Sequence, residues 1–281
     1  SVYKHINNSG KGEDIPMRKI IFLDIDGTIR DFDGTIPESA VKAIHEAQKN
    51  GHKVCLSTGR PYPRIEKRVL DIGFDGVVAS SGSYAEYEGE CVSHCVFSIT
   101  LYMEFMVWLL KNDCIVEMEN HRHTYLLKSD WERYKAVTGV CETDIIRPVL
   151  VETVTDVDQV DKLVVFCQRE LREEMMEKWE HVFHIVELSA PFGSGWAAEI
   201  TPPDVSKARG IQAVLKASGF AREDVIGVGD STNDLEMLSL AGRGIAMGNA
   251  PESVKEKADY VTDSVKEDGI WKAFVHEGLI E

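Results

Sequence analysis

Two stretches of this 281-residue chain alternate short apolar strands with helical patterns, and this alternation limits its fold more than any other feature. Strands that take turns with helices build a parallel sheet covered on both faces. The first stretch opens with the strand Lys19–Asp24 (Lys-Ile-Ile-Phe-Leu-Asp), which runs into carboxylates and Gly27. Pro37 then starts a helix with Val41, Ile44 and Ala47 on one face, and Gly51 ends it. A strand over Lys53–Ser57, a helix over Pro61–Ile72 and a strand over Gly76–Ser80 follow. The rhythm returns at Ala197, with helices predicted over Lys207–Ser218, Asp234–Ala241, Glu252–Lys257 and Glu267–His276. Strands over Val225–Val228 and Gly244–Met247 lie between them.

The middle of the chain has a different grain. Glu86–Phe97 reads as a hairpin, Leu101–Lys111 as an amphipathic helix, and Ile115–Glu119 with Thr124–Leu127 as paired strands around a polar turn. Leu163–Cys167, helix Glu170–His181 and strand Val182–Leu188 come next. This is α+β patterning, so the expectation is an α/β core formed by residues 17–83 and 197–281, with residues 84–196 inserted as a second domain. Ser1–Pro16 is polar and reads as a flexible leader, open to being an expression-derived addition, and is set aside.

Composition excludes several classes. A hydrophobic fraction of 43% is ordinary for a globular chain, and a formal charge of −16 disfavours nucleic acid and anionic lipid as general partners. No apolar run reaches the length of a membrane span, and six scattered cysteines predict reduced thiols and a cytoplasmic setting.

The chemistry-bearing residues stand at strand and helix ends. Asp24-Ile25-Asp26-Gly27-Thr28 follows the first strand, where functional groups of parallel sheets cluster. Two carboxylates so close repel unless a cation or proton sits between them, and a hard divalent ion such as Mg²⁺ suits oxygen ligands. Asp-Gly is also common turn chemistry, which is the plain alternative. The second strand ends in Thr58-Gly59-Arg60, with a hydroxyl and a backbone that can approach an anion. Asp230-Ser-Thr-Asn233-Asp234 follows another apolar strand, offering a third carboxylate beside residues that also cap a helix. Lys207 opens a helix, where the macrodipole disfavours a cation unless an anion holds it.

Asp-x-Asp-Gly-Thr, Thr-Gly-Arg, Lys and Gly-Asp-x-x-Asn-Asp, in that order, resemble the motifs of the haloacid dehalogenase (HAD) superfamily of phosphohydrolases. The insert between the second and third motifs is similar to the α/β cap of the Cof-type subfamily (IIB). The resemblance implies a Rossmann-like core and a magnesium-dependent phosphatase acting on small phosphorylated metabolites, sugar phosphates foremost. It also implies Asp24 as nucleophile and Asp26 as general acid–base. Asp24, the Asp26 backbone carbonyl and Asp230 would hold Mg²⁺. Ile25, Thr58, Gly59, Lys207 and Asn233 would hold phosphate, with Asp234 behind them. A sugar phosphomutase of the same superfamily is the nearer alternative, and a non-catalytic phosphate-binding or receiver-like module the more distant one. Ser81-Gly82-Ser83 departs from the Asn-Gly-Ala frequent in Cof-like families, on the substrate side.

Arg60, Ser81, Gly82 and the basic turn His121-Arg122-His123 are further candidates for substrate contact. Cys91-Val-Ser-His94-Cys95 reads as a hairpin of the insert, because its spacing does not let the chain wrap a zinc ion and no fourth ligand is at hand. Trp131, Phe192 and Trp196 read as packing at the junction more than as substrate contacts.

Overall fold

In the computed structural model, which describes residues 18–140, 147–188 and 195–281, the strands form two sheets. The predicted leader, Cys141 and Phe192 lie outside the described residues. The strands, in chain order, are β1 (Ile20–Leu23), β2 (Lys53–Ser57), β3 (Gly76–Ala79), β4 (Tyr84–Tyr87), β5 (Glu90–His94), β6 (Ile115–Glu119) and β7 (Thr124–Leu127). They continue as β8 (Val149–Val151), β9 (Lys162–Gln168), β10 (His184–Glu187), β11 (Gly195–Thr201), β12 (Val225–Gly229), β13 (Arg243–Ala246) and β14 (Tyr260–Val261). The larger sheet has the order β14-β13-β12-β1-β2-β3-β4-β5 and the smaller β10-β11-β9-β6-β7-β8.

From β14 to β3 every pairing of the larger sheet is parallel, with β1 at its centre between β12 and β2. Side chains alternate across a strand, and β1 shows the result. Ile21 and Leu23 join the core beneath helices α1 (Glu38–Lys49) and α9 (Gly269–His276), whereas Ile20 and Phe22 join the opposite core. That second core is covered by α6 (Lys207–Ser218), α7 (Leu235–Leu240) and the short α8 (Glu252–Lys255). Both faces of the sheet are therefore buried, as its near-continuous apolar strands require. On the smaller sheet, α3 (Ile99–Lys111) and α5 (Leu171–Trp179) cover one face, and α4 (Trp131–Thr138) packs on the other through Trp131 and Tyr134.

Three expectations change. Pro61–Ile72 is not one helix: a 3-10 turn at Tyr62–Arg64 and α2 (Lys67–Leu70) are separated by Glu66, extended at ψ 136°. Pro61 and Pro63 cannot donate to a helical ladder, and Glu66 is drawn into ion pairs with Arg30, Arg60 and Arg68. The hairpin predicted for the insert is β4–β5, yet it pairs antiparallel with β3 and so extends the larger sheet. At the far side of the insert, β11 pairs with β9 and β10, so the chain stays in the smaller sheet through Thr201 instead of leaving it at Ala197. By sheet membership the insert begins after His94 and ends at Thr201.

Candidate active site

Three strand ends of the larger sheet converge on one point. Asp24 follows β1, is buried, and donates its backbone N–H to Val228 O at 3.0 Å, which ties it to β12. Asp230 follows β12 and accepts a long bond (3.4 Å) from Thr28 Oγ1. Thr58 follows β2 and is fixed by its N–H to Val78 O at 2.8 Å. Gly27, at φ +81°, turns the chain between these groups. A Cβ there would lie 2.2 Å from Asp230 Oδ2, so only glycine lets the loop pass.

Lys207 enters from the first turn of α6 and is 2% exposed. Its Nζ donates to Asp24 Oδ1 at 2.8 Å and Asp234 Oδ1 at 2.6 Å, with Asn233 Oδ1 at 3.4 Å. Burial works against its ammonium, but Asp234 and Asp24 outweigh that and hold its pKa above the usual lysine range. Gly82, at φ +101°, explains how the helix gets so close: a Cβ there would lie 1.9 Å from Ser206 O. Gly82 thus seats the start of α6 against the sheet, and neither it nor Ser81 lines the cavity described below.

The carboxylate oxygens of Asp24, Asp230 and Asp234 lie within 4.8 Å of one another, all on buried residues. Asp234, expected behind the phosphate-holding residues, belongs to this trio and accepts from Lys207 as well. Its Oδ2 accepts from the N–H of Asp230 and of Ser231, each at 3.0 Å, which closes the capping turn before α7. Burial pushes the Asp24 carboxyl up to about 7, against the pull of Lys207 and with help from Asp234. Burial and Asp234 raise Asp230 to about 7 as well. One lysine does not balance three buried carboxylates, and their all-oxygen donor set fits a hard divalent cation.

The Asp26 side chain is elsewhere. Arg60 grips it with two bonds, Nε to Oδ2 at 2.6 Å and Nη2 to Oδ1 at 2.8 Å, and Arg30 adds a third at 2.7 Å. Arg60, read from sequence as a substrate contact, is the partner of the acid–base candidate. Ile25 buries its side chain, and its carbonyl accepts from Thr28, Ile29 and Arg30 to hold the turn.

A cavity of about 1030 Å³ opens over these groups, lined on one side by Asp24, Asp26, Thr58, Gly59, Arg60, Asp230 and Asn233. Its other wall comes from the insert and was not singled out in the sequence: Glu117, Glu119, Tyr134, Lys162 and Glu199, with Arg64 of the core beside them. Glu117 and Glu119 share one face of β6 and are each 1% exposed. Arg64 pairs with Glu117 at 2.8 Å, and Tyr134 donates to the same carboxylate. Lys162 reaches Glu199 at 2.9 Å and Gly59 O at 3.0 Å, joining the insert to the Thr58-Gly59 turn. It also stands 3.1 Å from Glu119 Oε2, an ion pair without hydrogen-bond geometry. Burial holds Glu119 well above the usual carboxylate range. Two charges at alternate positions of an apolar strand were the available sequence signal. Asn249 was missed too; it donates to Gly27 O at 2.8 Å and braces the loop beside Asp230.

The turn His121-Arg122-His123 does not line the cavity. His121 packs on Tyr84 and His94, and Arg122 pairs with Asp158 at the surface. Trp131 and Trp196 are packed in the cores of the insert. The five described cysteines are free, and no helix among the described residues is long and apolar enough to cross a membrane.

The sequence profile of haloacid dehalogenase-like hydrolases matches residues 21–274. YkrA of Bacillus subtilis (strain 168) is 32% identical over 277 residues, covering 94% of this chain and 99% of that protein. The 5-amino-6-(5-phospho-D-ribitylamino)uracil phosphatase YitU of the same organism is 29% identical, over 89% of this chain and 94% of its own length. Among solved structures, the HAD subclass IIB sugar phosphatase BT4131 superposes with a TM-score of 0.76 at 27% identity, covering 93% of this chain and all of that one.

Proposed function

We propose that this chain, which belongs to the haloacid dehalogenase-like hydrolases and is a phosphatase of the Cof type, releases inorganic phosphate from small phosphorylated metabolites through an aspartyl-phosphate on Asp24. The observation that carries this reading is the Asp24 carboxylate, buried at the end of the central strand, facing the cavity and paired with Lys207 at 2.8 Å.

In the proposed reaction an Asp24 oxygen bonds to phosphorus as the ester P–O bond breaks. Asp26 gives its proton to the departing alkoxide and then takes one from the water that hydrolyses the acyl phosphate. To do so its carboxylate has to leave the Arg60 fork, so Arg60 stations the acid–base group between turnovers. Thr58, the N–H groups of Ile25 and Gly59, Lys207 and Asn233 hold the phosphoryl oxygens in place. Asp24, Asp230 and the Asp26 carbonyl would hold a divalent cation, Mg²⁺ in this reading, which when bound would screen the nucleophile from the phosphate dianion and stabilise transition-state charge.

The insert's wall suits a leaving group that has both hydroxyls and a carbon skeleton to bury. Glu117, Glu119 and Glu199 accept hydrogen bonds and Lys162 and Tyr134 donate them, with Arg64 of the core beside them, while Val140, Val164, Phe166 and Leu188 add an apolar face, a mixture that a sugar or polyol phosphate can use. The names of the two relatives, one acting on a phosphoribityl compound and one a sugar phosphatase, point the same way. Incubating the enzyme with a panel of phosphorylated metabolites and assaying free phosphate tests this. Steady release from polyol and sugar phosphates is expected. An isomerised sugar phosphate without phosphate release would establish the mutase instead.

Metal dependence carries a definite sign in pH. Chelation is expected to stop turnover and Mg²⁺ to restore it. Asp24 and Asp230, both raised to about 7, hold protons below that pH and compete with the cation. The rise in thermal midpoint caused by Mg²⁺ should therefore be largest above pH 7. At about pH 6 the apparent Mg²⁺ affinity should drop by about tenfold for each protonated carboxyl. Equal Mg²⁺ stabilisation on both sides of pH 7 would remove these two carboxylates from the metal site.

A further inference from the structure

A second group of potential ligands lies away from the cavity, where the chain passes from one sheet to the other. His94 ends β5 in the larger sheet. His121 is in the turn between β6 and β7, and Asp161 immediately precedes β9, both in the smaller sheet. One ligand atom from each falls within 4.8 Å of the others. His94 Nε2 is 3.1 Å from Asp161 Oδ2. The two are hydrogen-bonded without a metal, and their separation is near that of ligand atoms on a tetrahedral ion with bonds of about 2.0–2.1 Å, which is about 3.3 Å.

Two of these side chains keep ligand atoms that nothing satisfies. Asp161 is fully buried, and its Oδ1 has no hydrogen-bond partner. Ser80 lies alongside, but its Oγ completes no bond either. His121 Nδ1 is likewise buried and unpartnered. Buried polar atoms are nearly always satisfied, so two unsatisfied ones on side chains of one three-residue cluster call for a missing partner. The rings are held ready for one: Tyr84 stacks on His121 at 5.3 Å and meets His94 edge-on at 5.6 Å. Ser83 Oγ donates to Asp161 O at 3.1 Å, and Phe97 N–H to Val160 O at 2.9 Å, so the joint around the cluster is fixed.

We propose that His94, His121 and Asp161 bind a borderline transition-metal ion, Zn²⁺ in the first instance, which staples the larger sheet to the insert. Two imidazoles and one carboxylate make a donor set that takes Zn²⁺ or Co²⁺ in preference to Mg²⁺, and a water completes four-coordination. The neighbouring Cys91 and Cys95 are not among the clustered ligands, so His94 is the member of the Cys-x-x-His-Cys run that acts, with partners distant in sequence. Because its ligands come from both sheets, the ion would limit how far the insert moves over the catalytic groups.

The full chain, stripped by chelator and resupplied with excess Mg²⁺ to fill the carboxylate site, is titrated with Co²⁺ and then Zn²⁺. One equivalent of Co²⁺ should bind with the visible absorption of a low-coordinate imidazole site and no thiolate charge-transfer band, and Zn²⁺ should displace it. His121→Ala and, separately, His94→Gln should each weaken Zn²⁺ binding by at least the roughly 10–100-fold seen when only a supporting contact is lost. Their metal-free thermal midpoints should stay near that of the parent. Asp230→Asn should leave Zn²⁺ binding unchanged. In the parent itself, Zn²⁺ should shift the imidazole nitrogen resonances of both histidines, a readout that needs no variant. Failure of those resonances to move, or Zn²⁺ binding that survives both histidine changes or vanishes with Asp230→Asn, would overturn the proposal.

Discussion

Replacing Asp24 with Asn is expected to lower phosphate release by about 10⁴-fold or more, the scale of loss when a covalent nucleophile is removed from an otherwise intact site. The amide keeps the shape of the side chain and can still accept from Lys207, but it cannot form an acyl phosphate. Stability should not suffer. Asp24 is one of three crowded carboxylates, raised to about 7 by burial and by Asp234, so neutralising it relieves repulsion. In the metal-free protein the thermal midpoint of Asp24→Asn should equal or exceed that of the parent. Phosphate assay and thermal melting on the same sample check both halves. Parent-like turnover would remove the nucleophile assignment, and so would an acid-stable phosphoenzyme trapped on another residue.

What the sequence disclosed about the site was local, and what it concealed was tertiary. A carboxylate directly after an apolar strand is a local signal, and so are Thr58 after β2 and Asp230 after β12. A parallel sheet then gathers such strand ends without further instruction. The wall formed by Glu117, Lys162 and Glu199 depends on how the smaller sheet sits over the larger, which no short-range pattern encodes. Arg60 illustrates the limit. Its place beside Thr58-Gly59 was plain, yet its partner, Asp26, lies 34 positions away. Gly82 does so again, because its role follows from Ser206 O lying where a Cβ would be only 1.9 Å away, a closeness that exists only once α6 has docked. The β4–β5 hairpin was recognised as a hairpin and assigned to the wrong sheet, since its alternation fits either one. Only the pairing of Gly76–Ala79 with Tyr84–Tyr87 decides it.

Lys207→Met should be the most destabilising single change to the site, because this lysine serves both the fold and the chemistry. Its Nζ is the cation within hydrogen-bond reach of both Asp24 and Asp234, and it is 2% exposed. Removing one partner from a buried ion pair costs about 3–5 kcal/mol, because the remaining charges are left uncompensated. That is a large part of the roughly 5–15 kcal/mol that holds a protein folded. Catalysis should fall further, by about 10²–10³-fold from the lost contact to the phosphoryl oxygens. The pH dependence separates this account from simple misfolding. Asp24 already binds its proton more tightly in the folded chain than in the unfolded one, and without Lys207 its pKa must rise further. A group raised in this way favours the folded state as pH falls through its folded value and disfavours it above. Metal-free Lys207→Met should therefore melt well below the parent at about pH 8 and recover part of the gap at about pH 6, whereas added Mg²⁺ should narrow the difference at the higher pH. A gap that is the same at both pH values and indifferent to Mg²⁺ would mean that lost packing, not an uncompensated carboxylate cluster, is what Lys207 guards against.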